Sequence, residues 1–472
     1  MLAAALCACT VDPVVPVPVD SRTLSFASQE ISLGGEASAF SVQVTANFAY
    51  TVDIKADWIH EDPSQTSTEA VRHFIADENT LAGSREGEIR FTDRQDRYYT
   101  KAVKVIQAPS EQARKTLYIV DKDATAETKA LLANLWTLAE TGWMFGHHDD
   151  LWYGRYWYNE AGKSDTKSVC GDYPAVFSVD FAEVMDNRYN TSSSNSIRRR
   201  VILEARERGE VIMACAHLNN PLTGGDAWDN SSKEVVRQIL TEGSATRAKY
   251  LSWLDRCAEF ANNLKDARGN LIPVIFRVYH EHTQGWSWWG SSCATESDFV
   301  SLWRMTVQYL RDTKGVHNFL YAVSPQMDEV YSSPRSRLLY RWPGDEWVDF
   351  IGMDCYHGTW NQAFISNLKA LEAVSLEKKK PCGVTETGKE SFTETDFWTR
   401  HILSPLEGRR VSMVTMWRNK YVGSDEADKH YFSVYPGHPS EEDFRTLYKD
   451  GRSLFSRDLP DMYTLPAGYE IK

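Results

Sequence analysis

Apolar and polar positions alternate with period two from about residue 22 to 109. Phe40, Val42 and Val44 are set against Ser41, Gln43 and Thr45, and "AYTVDIKADWI" (49–59), "GEIRF" (87–91) and "KAVKVIQ" (101–107) continue the pattern. Turn signals at Gly34-Gly35 and "NTLAGSREG" separate the runs. Short strands at this spacing, each with one apolar face, predict a β-sandwich.

From about residue 115 the texture changes. Eight short apolar runs follow: "GWMFGHHD", "YPAVFSVDF", "EVIMACAHLNN", "LIPVIFRVYHE", "NFLYAVSPQ", "VDFIGMDCYH", "PCGVTETG" and "VSMVTMWRN". Segments of helical period lie between most of them, such as residues 232–264 and 297–313. A parallel strand covered by helices reads as a continuous apolar run, so the alternation predicts βαβ units. Eight units imply an α/β fold, a (β/α)8 barrel behind a small all-β sandwich. An open doubly wound sheet is the alternative. Polar residues at the C-terminal end of nearly every run favour the barrel, which gathers its active site at that rim.

Composition narrows the partners. The chain has 472 residues, long enough for two or three domains. A formal net charge of -13 argues against nucleic acid, while 16 Trp and 22 Tyr suggest a large core with a ligand surface. Beyond the first residues no apolar run approaches the roughly 20 needed to span a bilayer. Of the eight cysteines, Cys215, Cys355 and Cys382 sit inside apolar runs, where buried free thiols are expected.

Candidate chemistry centres on "VYHEHTQGWSWWG" (278–290), a carboxylate at the end of the fourth run followed by three indoles. Glu281 ends run four and Glu386 ends run seven, which places both on one barrel rim. Each alone reads more simply as a solvated carboxylate; together they can form a retaining glycosidase pair, which needs a separation of about 5–5.5 Å. Ionised Glu386 would raise the pKa of Glu281 and keep it protonated. Arg277, four residues earlier and on the same strand face, would hold Glu386 ionised. Trp286, Trp288 and Trp289 are expected as sugar platforms, with Trp360 and Trp417 on neighbouring loops. Trp253 and Trp303, on helical segments, are expected to pack. His280-Glu281-His282 as a metal site is disfavoured, because adjacent strand residues point to opposite faces. No metal or cofactor is expected.

The motifs "FGHHDD", "AHLNNP", "FRVYHEHTQGWSWWG", "MDCYH", "TETG" and "MWRN", in this order, resemble glycoside hydrolase family 26. The resemblance implies a retaining β-mannanase on a (β/α)8 barrel, with Glu281 as acid/base and Glu386 as nucleophile. It implies that His217, His280, Trp286, Tyr356 and Trp417 line the subsite of the attacked sugar, with Asp354 and Arg277 in support. His148, from the His147-His148 pair, and Trp289 complete the substrate-binding candidates. The alternatives are release of mannobiose by exo action, action on β-xylan or mixed-linkage β-glucan, and a non-catalytic glycan-binding protein. Residues 146–173 are long enough to close one end of a cleft, as exo action requires.

Trp58, the turn before "GEIRF" and the ending "VKVIQAP" resemble the BACON domain of Bacteroidetes carbohydrate-active proteins. The name implies glycan binding; a spacer role is expected here. Leu6 to Cys9 resembles a bacterial lipobox, which implies lipidation of Cys9. The expected organisation is a signal remnant over 1–9, a proline-rich stalk over 10–21, the BACON-like sandwich over 22–110 and the barrel over 115–472. A lipid-anchored monomer at the outer-membrane surface, acting endo on mannan, galactomannan or glucomannan, follows, with the periplasm as the alternative location.

Overall fold

A computed structural model describes residues 21–81, 83–187, 192–425 and 427–472. Cys9 and the proline-rich stretch up to residue 20 lie outside the described residues. The chain divides into two compact units, Met1–Ala113 and Arg114–Lys472. Among the described residues no helix is long and apolar enough to cross a membrane.

The first unit is the expected sandwich. β1 (Leu24–Phe26), β3 (Ser38–Ala46), β6 (Val71–Ala76) and β5 (Ile59–Glu61) form one sheet in that order. The second sheet runs β2 (Glu30–Leu33), β8 (Thr100–Gln107), β7 (Arg85–Asp93) and β4 (Tyr50–Ile54). Alternation decides the facing: Val42 and Val44 are buried while Ser41, Gln43 and Thr45 are exposed. Phe74, Ile89, Phe91, Val103 and Val105 complete the core between the sheets. Trp58, the only tryptophan of this unit, is buried beneath the Arg85 guanidinium, 4.3 Å from the ring centroid. It packs instead of presenting a flat face.

In the second unit the short β9 (Thr116–Leu117) pairs with the chain's last strand, Glu470–Ile471. All eight predicted runs are then strands: β10 (Trp143–His148), β11 (Val176–Asp180), β12 (Val211–Cys215), β13 (Val274–Arg277), β14 (Phe319–Val323), β15 (Phe350–Cys355), β16 (Cys382–Thr387) and β17 (Met413–Met416). Each is parallel to the next, and β10 pairs with both β11 and β17, which closes the barrel and excludes the open sheet. Helices such as Ala245–Asn262 and Glu296–Gln308 cover it, with Trp253 and Trp303 buried under them as expected. The six described cysteines are free thiols.

Two backbone irregularities aim the side chains at the rim. Beside β15, Met353 faces Val384 but Asp354 faces Glu386; beside β17, Val414 faces Val384 and Met416 faces Thr387. Against both neighbours β16 therefore carries one extra residue, a bulge at Thr385–Glu386. Regular pleating would send these two side chains to opposite faces; the bulge turns both towards Asp354 and Arg277. The other irregularity is Glu281, in the left-handed region at φ 52°. Its N–H donates to the Ser324 carbonyl at the end of β14 (2.7 Å), which holds this uncommon conformation in place.

Candidate active site

Arg277, the last residue of β13, organises the centre. It is fully buried, and its Nη1 donates to both carboxylate oxygens of Asp354 (3.1 and 2.9 Å) and to Ser324 Oγ (2.7 Å). Its Nη2 donates to Glu386 Oε1. Thr385 Oγ1 donates to Asp354 Oδ1 at 2.6 Å, and Tyr356 OH to Glu386 Oε2 at 2.8 Å. Both Glu386 oxygens are thus held, one by a cation and one by a phenol. The expected contact between Arg277 and Glu386 is present. Arg277 and Glu281 do not share a strand face, however: β13 ends at Arg277, and Glu281 lies in the turn that follows.

Glu281 sits in a different setting. Among the described residues its carboxylate accepts one hydrogen bond, from Trp286 Nε1 at 2.6 Å. Carboxylate oxygens of Glu281, Asp354 and Glu386 lie within 4.8 Å of one another. Burial, then the charges of Asp354 and Glu386, push the Glu281 carboxyl well above its ordinary range. Desolvation is thus a larger cause than the Glu386 charge expected from the sequence. Burial also raises Asp354, against the opposing pull of Arg277. Asp354 and Glu386 share the Arg277 guanidinium; Glu281, which among the described residues meets no cation, is raised by burial without that opposing pull. A guanidinium lodged against two of the three also makes this trio a poor metal cage.

Around the pair stand the imidazoles and indoles. His280 Nε2 lies 3.1 Å from His217 Nε2, and His217 Nδ1 lies 2.7 Å from Asp180 Oδ2. Burial pushes the Asp180 carboxyl up, but His217 and the Ala182 N–H outweigh it and hold it below the usual range. Burial holds His280 far below the normal imidazole range and His148 at about 3, so both are neutral. His148 is the member of its pair that faces the cleft: it stacks on Trp417 (4.2 Å) and bonds Ser178, while His147 turns back to Thr166 and Asp150. His282 diverges from His280 to stack on Phe299 and meet the Tyr340 carbonyl.

The three neighbouring tryptophans do not share a role. Trp286 is partly exposed beside Glu281, His217 and His280. Trp288 and Trp289 have no exposed surface, which corrects their assignment as sugar platforms. Their indole N–H groups are satisfied by the Leu218 and His280 carbonyls (3.0 and 2.8 Å), and Trp289 packs edge-on behind Trp286. The loop turns tightly at Gly290, where an added Cβ would meet the Gln284 carbonyl at 2.3 Å. Arg341, fully buried, donates to the carbonyls of His282, Trp289, Gly290 and Ala294 and fixes the loop from behind. Arg277 and Asp354 are likewise buried behind Glu386, so they support it and do not line the cleft.

A cavity of about 400 Å³ opens here, lined by His148, Asp180, His217, Trp228, Trp417 and Arg418 among others. A larger one, about 1060 Å³, lies at the other end of the strands and holds none of the predicted site residues. Trp228 and Arg418 were missed in the sequence. Trp228 is 57% exposed and 5.4 Å from Trp286. Its signal was a lone indole in the polar, glycine-rich "TGGDAWDN"; Arg418 directly follows Trp417. Trp360, half-exposed after β15, does not line this cavity.

Residues 120–394, more than half of the chain, match the family described as Glycosyl hydrolase family 26. The chain belongs to this family. Residues 34–108 match the BACON family, a "Putative binding domain, N-terminal". Among curated relatives, a mannan endo-1,4-beta-mannosidase of Bifidobacterium adolescentis is 30% identical over 377 residues, 74% of this chain and 36% of that protein. A second, from Caldalkalibacillus mannanilyticus, is 24% identical over 41% of this chain and 38% of the relative. The chain thus spans little more than a third of the length of these two relatives. Among solved structures, a family 26 β-mannanase of Bacteroides ovatus is 38% identical with a TM-score of 0.68, covering 73% of this chain and 99% of that one. A modular endo-β-1,4-mannanase of Cellulomonas fimi gives 29% and 0.67, covering 75% and 81%.

Proposed function

We propose that the chain is a retaining endo-β-1,4-mannanase that hydrolyses mannan, galactomannan or glucomannan. The observation that carries the mechanism is the close approach of Glu281 and Glu386, within 4.8 Å, in opposite electrostatic settings. That gap is too small for a water between the two groups, as inversion requires, and suits direct attack.

Glu386, aimed by Arg277 and Tyr356, attacks the anomeric carbon and forms a glycosyl ester. Glu281, protonated in its buried setting, gives its proton to the departing glycosidic oxygen. Once the ester forms, the Glu386 charge is gone and the pKa of Glu281 falls, so it takes the proton of the incoming water. Neutral His148, whose Nδ1 meets Ser178, can donate from Nε2 to a sugar hydroxyl without adding charge, while His280 holds His217 in place. Trp417 and Trp286 supply ring faces, with Trp228 extending the leaving-group side. Mannan as substrate is supported by the names of the relatives.

Location belongs to the same proposal. The Leu6–Cys9 stretch and the prolines after it support a lipid anchor at the outer-membrane surface, where long polymers are met first. Endo action there gives early products of mixed length. The test is the anomeric form of the first product released from mannan, read by NMR. A β-anomer is expected, and an α-anomer at early times would reject the double displacement. A digest whose earliest product is almost entirely mannobiose would convert endo to exo.

A further inference from the structure

We propose that Tyr158 and Tyr421 form a sugar-binding platform for the distal glycone part of the chain. It would bind a β-1,4-linked backbone several sugars away from the cleavage point. The proposal rests on the retaining mannanase reading and adds a site to it.

Ring contacts give the order of groups along the cleft. Trp228 touches Trp286 and His217, His217 lies 5.7 Å from Trp417, and Trp417 stacks on His148. The acid must reach the glycosidic oxygen, so the leaving sugars lie on the side of Glu281, Trp286 and Trp228. The opposite direction continues through Arg418, whose Nη1 donates to Tyr153 OH at 3.1 Å. Tyr153 lies nearly parallel to Tyr158, with centroids 6.3 Å apart and planes at 14°, and Tyr158 meets Tyr421 at 5.6 Å. Tyr158 lines the same cavity as His148 and Trp417.

These tyrosines are exposed, at 49% for Tyr158 and 42% for Tyr421, yet the backbone beneath them is tightly held. Tyr153 and Tyr158 form an isolated antiparallel bridge. The Trp157 indole and the Arg155 N–H both donate to Asp165 (3.0 and 2.8 Å). The loop after β17 is tied to the same frame. Asn419 donates to Asp165 (3.0 Å), Val422 N–H to the Arg155 carbonyl (3.2 Å), and Arg155 to the Asp428 carbonyl. Exposed aromatic rings on a pinned frame lose little entropy when a ligand stacks on them, and their faces suit the apolar face of a pyranose. The segment 146–173, long enough to wall off the cleft, thus continues it with a stacking surface.

The test compares the full chain with Tyr158→Ala/Tyr421→Ala and Tyr158→Phe/Tyr421→Phe on mannohexaose and on an aryl β-mannobioside. For the alanine pair, the ratio of kcat/KM on hexaose to that on the mannobioside should fall about tenfold, equivalent to roughly 1.4 kcal/mol. Cleavage should also shift towards products with fewer glycone sugars. The phenylalanine pair should keep the wild-type ratio, because stacking does not use the hydroxyl. An unchanged ratio in the alanine pair overturns the platform, whether both substrates are unaffected or both decline together. Should the wild type cleave another β-1,4-glycan but no mannan, the mannanase reading fails. The chain-length ratio on that glycan then decides the platform.

Discussion

The two carboxylates at the rim reach nearly the same point by different means. Glu386 is carried by a strand, turned inward by a one-residue bulge and gripped by a guanidinium and a phenol. Glu281 is carried by a turn, held in a left-handed conformation, and among the described residues meets an indole N–H but no cation. Within 4.8 Å of each other, the same side-chain type has two settings, and the proposed mechanism makes one the nucleophile and the other the acid. The difference lies in who the neighbours are.

Removing either carboxylate tests this contrast most severely. Glu386→Ala and Glu281→Ala should each lower mannan hydrolysis by several orders of magnitude without unfolding the barrel. Only Glu281→Ala should regain turnover of an activated aryl glycoside when azide is added with retention; azide on Glu386→Ala should give the inverted product. The reverse pattern would exchange the roles.

The tryptophans sharpen the same point. Trp289→Ala should cost roughly 3–5 kcal/mol of stability, as for other buried aromatic truncations. Trp286→Ala should leave the melting temperature nearly unchanged and cost roughly 2–4 kcal/mol in kcat/KM. Equal thermal losses would give both a packing role. Next comes the loop's anchor. Arg341→Met leaves buried carbonyls unpaired, and calorimetry should show a loss of roughly 2–4 kcal/mol together with reduced kcat.

A smaller effect is expected from charge alone. The basic limb of the kcat/KM profile should report loss of the Glu281 proton, above the ordinary glutamate range. Asp354 raises that pKa, so Asp354→Asn should move the limb to lower pH; an unmoved limb would show that Asp354 is not a charged neighbour. The smallest effect should come from the first unit. A chain starting at residue 112 should fold and cleave soluble mannan at the full rate, because the barrel has its own cores. Loss of activity on insoluble mannan alone would give the sandwich a binding role.

The fold was legible because burial leaves a simple trace. Barrel strands are covered on both faces and read as unbroken apolar runs, while sandwich strands are covered on one and alternate. The pair Glu281 and Glu386 was legible because rim residues end such runs. The bulge at Thr385 was not, since a pleat irregularity depends on the neighbouring strands. Nor could spacing tell Trp286 from Trp289: which of several nearby indoles turns outward is set by Gly290 and by Arg341, 52 residues beyond Trp289 in the chain. Arg418 and Trp228 carried weak local signals and acquire meaning only beside Trp417 and Trp286.

In the proposed mechanism Glu386 forms the glycosyl ester, and that ester can be trapped. Incubation with a 2-deoxy-2-fluoro-mannosyl fluoride expels fluoride and slows release of the sugar, so the ester accumulates. Peptide mass mapping should then place the added sugar on Glu386, within "PCGVTETG". A sugar found on Glu281, or none found while the reagent is still consumed, would contradict the account.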